Sequence, residues 1–138
     1  LGVSVENQHF ADERIPLLLQ TPAAVRFISA EPLLEHINLE PTWLVPTFSS
    51  CQQTVTPHLL TIVKAAARRE GWRGLDWVII GAESGAKRRA FDPLWAEVVV
   101  ETCRYFDVPA FVKQGSAFKP GQQGDLPDAL WAVKQWPA

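Results

Sequence analysis

The chain has 138 residues, of which 47% are hydrophobic, and its formal net charge is −2 at pH 7. This composition fits a globular domain with a sizeable core and excludes a disordered chain. The small negative charge argues against broad electrostatic binding to nucleic acid or membranes, and the apolar runs are too short to cross a bilayer.

The chain begins with a strand-like segment and a helix. Residues 1–6 alternate β-branched and polar side chains, which is typical of a strand. Asn7 can cap the next helix, because apolar residues recur at helical spacing from Phe10 to Leu19. Pro16 should kink this helix or divide it into two, because its ring clashes with the carbonyl group four residues earlier.

The middle of the chain contains two further strands and an insert. Residues 24–30 predict the second strand, and the proline- and serine-rich residues 41–55 predict a loop-rich insert. Thr56 and Pro57 then mark the start of a helix, as a hydroxyl cap followed by proline. Residues 75–81 form an almost continuous apolar run, which is typical of a parallel strand buried on both faces.

The last third repeats the same alternation. Asp92 and Pro93 begin a helix, residues 109–113 form the fourth predicted strand, and the tail at 115–138 should pack back on the body. Strands that alternate with helices predict a single α/β domain over residues 1–138, with a mainly parallel sheet of about four strands. The insert and the tail could each cover one edge of that sheet.

Each predicted strand ends in polar residues, and the carboxyl ends of parallel strands form the ligand face of α/β folds. Carboxylates gathered there with an ammonium group could bind a cation, hold a polar ligand or take part in acid–base chemistry. Alternatively, each glutamate could only cap a helix or face solvent. We expect Lys113 to be partly buried and paired with a glutamate, because it follows an apolar run. The candidate ligand-binding residues are Glu6, Asn7, Ser29, Glu31, Glu83, Ser84, Lys113 and Gln114.

Other motifs give weaker signals. The turn from Gly81 to Gly85 matches neither phosphate-loop pattern, and the basic run at residues 87–89 could hold an anion or simply be solvated. Cys51 and Cys103 have no metal or redox spacing, and the three histidines are isolated. The sequence therefore predicts free thiols, no metal site and a cytoplasmic location.

Five segments carry a family pattern: LGVSVENQ at 1–8, ADERIPLLLQTPAAVRFISAEPLL at 11–34, LDWVIIGAESG at 75–85, FVKQ at 111–114 and PGQQGDLPDALWAVKQWP at 120–137. This pattern resembles the uncharacterised phage and bacterial family labelled Gp thirty-seven / Gp sixty-eight. The resemblance implies the carboxyl-terminal half of a radical-SAM-like barrel, whose other half carries a cysteine cluster for an iron–sulfur centre. That cluster has no counterpart here, and since it needs grouped thiolates, we expect no cofactor on this chain alone.

The resemblance implies two functions, and a third stays open. The chain could bind a small polar ligand or cation without catalysis, or be a detached enzyme half that needs a partner with the iron–sulfur cluster. It could also be a structural or interaction module. Because four strands do not close a barrel, we expect a homo-oligomer, most simply a dimer, or a partner that completes the barrel. We expect neither a membrane nor a nucleic acid as partner.

Overall fold

The computed structural model describes residues 1–46 and 57–137, and its centre is a four-stranded sheet. The strands are β1 (Gly2–Ser4), β2 (Phe27–Ala30), β3 (Trp77–Gly81) and β4 (Ala110–Gln114). They lie in the order β1-β2-β3-β4, and every pair is parallel. The structure confirms the predicted α/β class with a parallel sheet. The described sheet is open, as expected for part of a barrel.

Helices connect the strands and follow the sequence signals closely. They are α1 (Gln8–Gln20), α2 (Pro41–Leu44), α3 (Pro57–Arg69), α4 (Pro93–Tyr105) and α5 (Asp128–Trp131). Asn7 caps α1 and Asp92 caps α4, because their side chains accept hydrogen bonds from the N–H groups of Phe10 and Leu94. The short helix α2 occupies the start of the predicted insert, and the rest of the insert, with Thr56, lies outside the described residues.

Pro16 lies inside the single helix α1, so of the two predicted alternatives, a kink or a division into two helices, the division is wrong. The buried stripe of α1 consists of Ala11, Ile15 and Leu18, which belong to the apolar core. Burying an isoleucine and a leucine stabilises the fold by about 1.5–3 kcal/mol each, which matches or exceeds the roughly 3 kcal/mol cost of an interior proline. Tertiary packing therefore keeps the helix continuous.

The helices cover one face of the sheet, and the strand side chains of the second face, called the bare face below, are only partly buried or exposed in the part of the chain that the structure describes. The strand side chains on the covered face are buried: Ile28, Ala30, Val78, Ile80, Ala110 and Val112. The alternate side chains are only half-buried or exposed: Phe27, Ser29, Trp77, Ile79, Phe111 and Lys113. Because the strands are neighbours in chain order, right-handed crossovers place all connecting helices on the same side. The strand β3 is therefore buried on one face, and the prediction of burial on both faces is wrong.

The tail covers the outer edge of β4, as predicted. Val112 donates its N–H to the carbonyl oxygen of Val133 at 2.9 Å. The Ala110 N–H donates to the Gln135 side-chain oxygen at 3.0 Å, and its carbonyl accepts from the Gln135 N–H at 2.9 Å. The ammonium group of Lys134 donates to the Val112 carbonyl. All four outward-facing main-chain groups of Ala110 and Val112 therefore have partners.

The outer edge of β1 is open. Within residues 1–46 and 57–137, the N–H and carbonyl groups of Gly2 and the N–H group of Ser4 form no hydrogen bond. The Ser4 carbonyl accepts from the Arg14 guanidinium at 2.7 Å. The sheet can therefore be extended at β1 but not at β4. No helix in the described parts of the chain is long and apolar enough to cross a bilayer.

Candidate functional site

The four charged residues at the predicted strand ends lie at one edge of the sheet. Glu6, Glu31 and Glu83 follow β1, β2 and β3, and Lys113 is the penultimate residue of β4. Because every strand pair is parallel, all four residues occupy the carboxyl edge, which confirms the prediction that they share a face of the fold.

Glu31 and Lys113 form an ion pair across the sheet. The Lys113 Nζ lies 3.0 Å and 2.9 Å from the two carboxylate oxygens of Glu31, although β3 lies between their strands. The pair passes over Gly81, where an added Cβ would lie only 3.2 Å from the Glu31 Cδ. The Lys113 side chain is 51% exposed and that of Glu31 is 18% exposed. The predicted pairing is confirmed, but Lys113 belongs to the exposed residues.

The other two glutamates also have basic partners. The Glu83 carboxylate accepts from the Arg89 Nε at 2.9 Å and from the Arg89 main-chain N–H at 2.8 Å. These hydrogen bonds hold the pKa of Glu83 below its usual value. The same contact raises the pKa of Arg89, with a smaller contribution from the charge of Glu6. Glu6 itself lies 3.2 Å from the Arg14 guanidinium.

Two of the predicted site residues hold the main chain in place. Asn7 uses its side-chain oxygen to cap α1. Gln114 is buried, donates its amide N–H to the Ala82 carbonyl at 2.8 Å, and accepts from the Gly121 N–H at 2.8 Å. The hydrogen-bonding groups of Gln114 therefore fix the loops after β3 and β4, and its side chain is not directed at an open surface.

The two predicted serines lie in different parts of the carboxyl edge. Ser29 lies on the bare face of the sheet, is half-buried, and its hydroxyl group has no hydrogen-bond partner within the described ranges. Ser84 lies in the loop after β3, where its main chain forms a parallel bridge with Ala117. Ser29 therefore lies on the same face of the sheet as Glu31 and Lys113.

The described residues do not fit an iron–sulfur cluster or a metal ion. No group of three or more His, Cys, Asp or Glu side chains within 1–46 and 57–137 could hold a metal. Cys103 is fully buried in α4, and burial raises the pKa of its thiol to about 12. A thiol that stays protonated is a poor ligand, because clusters bind thiolates. Cys51 lies outside the described residues.

A cleft of about 340 Å³ lies away from the carboxyl edge, between α4 and the tail. Its lining includes Arg104 and the ammonium-bearing Lys134, together with Val100 and Val133. Burial lowers the pKa of Lys134, and its Nζ lies 3.4 Å from the centroid of the Trp131 ring. Sequence reasoning missed this cleft, because no pattern links its two basic residues, which are far apart in the chain.

Comparison with known proteins gives a family but no activity. No curated protein and no solved structure is significantly similar to the chain. A family model described as protein of unknown function DUF5131 matches residues 1–132, which is nearly the whole chain. The chain therefore belongs to the DUF5131 family of proteins of unknown function.

Proposed function

We propose that the carboxyl edge of the sheet binds a small polar ligand that carries both a positive and a negative group. The observation that carries this proposal is the Glu31–Lys113 pair, which spans β3 over Gly81 and opens onto the bare face. A ligand ammonium group would pair with Glu31 while a ligand carboxylate pairs with Lys113. The hydroxyl group of Ser29 on the same face offers a further hydrogen bond.

A zwitterionic ligand suits this edge better than a metal cation does. Glu6, Glu31 and Glu83 each already face a basic side chain, at 2.9–3.2 Å. A cation would have to displace these bases and would leave them without partners. A ligand with two opposite charges instead exchanges one ion pair for two, so that no charge on the protein is left unpaired. The proposed function is therefore recognition, with no catalytic step.

Thermal unfolding in the presence of free amino acids, used as zwitterionic probes, tests this proposal. At a ligand concentration about 100 times the dissociation constant, binding stabilises the folded state by about 2.7 kcal/mol. We expect at least one amino acid to raise the melting temperature of the wild type, and Glu31→Gln and Lys113→Met to abolish the increase. Glu101→Gln is the matched control, because Glu101 forms an exposed ion pair with Arg104 on α4. If no amino acid raises the melting temperature, or if Glu31→Gln responds like the control, the proposal is wrong.

We propose a second candidate function, in which the chain is half of a barrel completed by another polypeptide. Parallel sheets normally have both faces covered, whereas this sheet has one bare face. That face carries an aromatic cluster of Phe27, Trp77, Phe111 and Trp136, with ring centroids 4.9–6.1 Å apart. The open edge of β1 adjoins it. The resemblance to a radical-SAM-like family supports a partner chain that carries the iron–sulfur cluster, and a second copy is the simpler alternative.

Light scattering at micromolar concentration tests the second copy. Trp136 is 65% exposed and belongs to the cluster, so we expect Trp136→Ser to weaken a homodimer. Tyr105→Ser is the matched control, because Tyr105 is an equally exposed aromatic residue on α4. A mass that stays monomeric at every concentration would contradict the homodimer. A dimer that Trp136→Ser leaves intact would show that the bare face is not its interface.

A further inference from the structure

The loops that follow β3 and β4 run side by side beyond the carboxyl edge of the sheet. Ser84 and Ala117 form a parallel bridge, and the Gly85 N–H donates to the Ala117 carbonyl at 3.0 Å. The residues immediately after both strands are therefore held together as one surface. This surface includes the basic run at residues 87–89.

Arg88 is fixed on this surface by neutral groups. Its Nε donates to the Ser116 hydroxyl at 3.0 Å, and its Nη1 donates to the Gly85 carbonyl at 2.9 Å. Neither acceptor cancels the positive charge, and about three of the five N–H donors of the guanidinium remain available. The neighbouring Arg89 differs, because it is bound to the Glu83 carboxylate. Arg88 is therefore exposed and oriented, and it forms no ion pair with a carboxylate among residues 1–46 and 57–137.

The same two loops carry two exposed lysines in addition to Arg88. Lys87 precedes it, and Lys119 lies three residues beyond its partner Ser116. Within the described ranges neither lysine forms an ion pair. The acidic residue of the same loop, Asp125, accepts from the Ser116 N–H at 2.9 Å. The described loops thus combine an oriented guanidinium with two ammonium groups that have no acidic partner.

We propose that these loops bind the phosphate group of a phosphate monoester, with Arg88 as the anchor. A guanidinium fork matches two phosphate oxygens, and an arginine whose position is already fixed loses little freedom when it binds. The carboxyl edge is also where α/β folds place their ligands. This site goes beyond the zwitterion site, because it uses the loops after β3 and β4 instead of the Glu31–Lys113 pair.

Isothermal titration with ribose 5-phosphate tests the proposal, with ribose as the control that lacks the phosphate group. We expect the wild type to bind ribose 5-phosphate but not ribose. Arg88→Ala should weaken binding about tenfold, as for the loss of a charge-assisted hydrogen bond. Arg88→Lys should also weaken it, because lysine keeps the charge but not the fork. Arg69→Ala, the same charge change in the last turn of α3, should leave the affinity unchanged.

Two further measurements make the test decisive. Ser116→Ala keeps Arg88 but removes one of its two fixing contacts, so binding should weaken even where Arg88→Ala fails to fold. Inorganic phosphate distinguishes a monoester site from a free-phosphate site, and it should bind more weakly than ribose 5-phosphate. The proposal is overturned if ribose 5-phosphate does not bind at millimolar concentration. It is also overturned if Arg69→Ala weakens binding as much as Arg88→Ala, or if free phosphate binds more tightly.

Discussion

The buried ammonium group of Lys64 should make the stability of the protein rise with pH in mildly alkaline solution. Lys64 lies on α3 and is only 7% exposed. Its Nζ donates to the main-chain carbonyl groups of Phe106 and Asp107, just beyond the end of α4. Burial lowers the pKa of Lys64 from 10.5 to about 8. The loss of water around the charged form outweighs the attraction of Asp107.

The direction of the effect follows from proton binding. Below pH 8 both the folded and the unfolded states hold the proton, so the folded state bears the full cost of burying the charge. Between about 8 and 10.5 only the unfolded state holds it, so the free energy of unfolding rises with pH. From about pH 7.5 to about pH 9 the gain is about 1 kcal/mol, allowing for partial screening by solvent.

Urea unfolding across this pH interval, followed by tryptophan fluorescence, measures the effect. Lys64→Met removes the titrating group, so the free energy of unfolding of the variant should no longer rise with pH over this interval. Lys119→Met is the matched control, because Lys119 is exposed and should leave the rise unchanged. Equal pH dependence in the wild type and in Lys64→Met would refute the reasoning, because the titration would then belong to another group.

Three further predictions concern the buried part of the carboxyl edge and the core. Burial raises the pKa of Cys103 to about 12, so in a Cys51→Ser background a thiol reagent at neutral pH should react only as fast as the protein unfolds; rapid labelling of the folded protein would contradict this. Gln114→Leu should lower the free energy of unfolding by about 2 kcal/mol, because it leaves the buried Ala82 carbonyl without a partner; an unchanged urea midpoint would refute it. Gly115→Ala should cost about 2 kcal/mol or more in the same assay, because the new Cβ would lie 2.0 Å from the Gln123 carbonyl oxygen.

The sequence predicted the fold where local chemistry decides it. Asp92 and Pro93 are a local signal for the start of a helix, and short apolar runs between helices favour a parallel sheet. The failures have tertiary causes. Pro16 stays inside α1 because the buried stripe of that helix packs on the core, and β3 is buried on only one face because the helices that connect the strands all lie against that face. Neither contact is visible in a local pattern.

The location of the candidate site at the carboxyl edge could be predicted from the sequence, but the contacts between its side chains could not. Parallel strands bring Glu31 and Lys113 to one edge whatever their partners are. The Glu31 side chain lies close to Gly81 where the pair crosses β3, with its Cδ 3.2 Å from the position of an added Cβ, and this close approach is visible only in the folded protein. The sequence could not distinguish the structural role of Gln114, whose side chain bonds the loops after β3 and β4, from the ion pairing of Lys113. Both residues are polar and stand at the end of the same strand. The hydrogen bond from Arg88 to the Ser116 hydroxyl likewise joins two loops that meet only in the folded protein.

The order of the strands connects the two candidate functions. Sequential parallel strands place every helix on one side, so the bare face carries both the aromatic cluster and the Glu31–Lys113 pair. A polypeptide that covered the aromatic cluster and extended β1 would therefore also cover the ion pair. Exclusion of water would strengthen the charge interactions of Glu31 and Lys113 with a bound ligand. Each of the two, a zwitterion and a barrel-completing partner, should thus bind with higher affinity when the other is present.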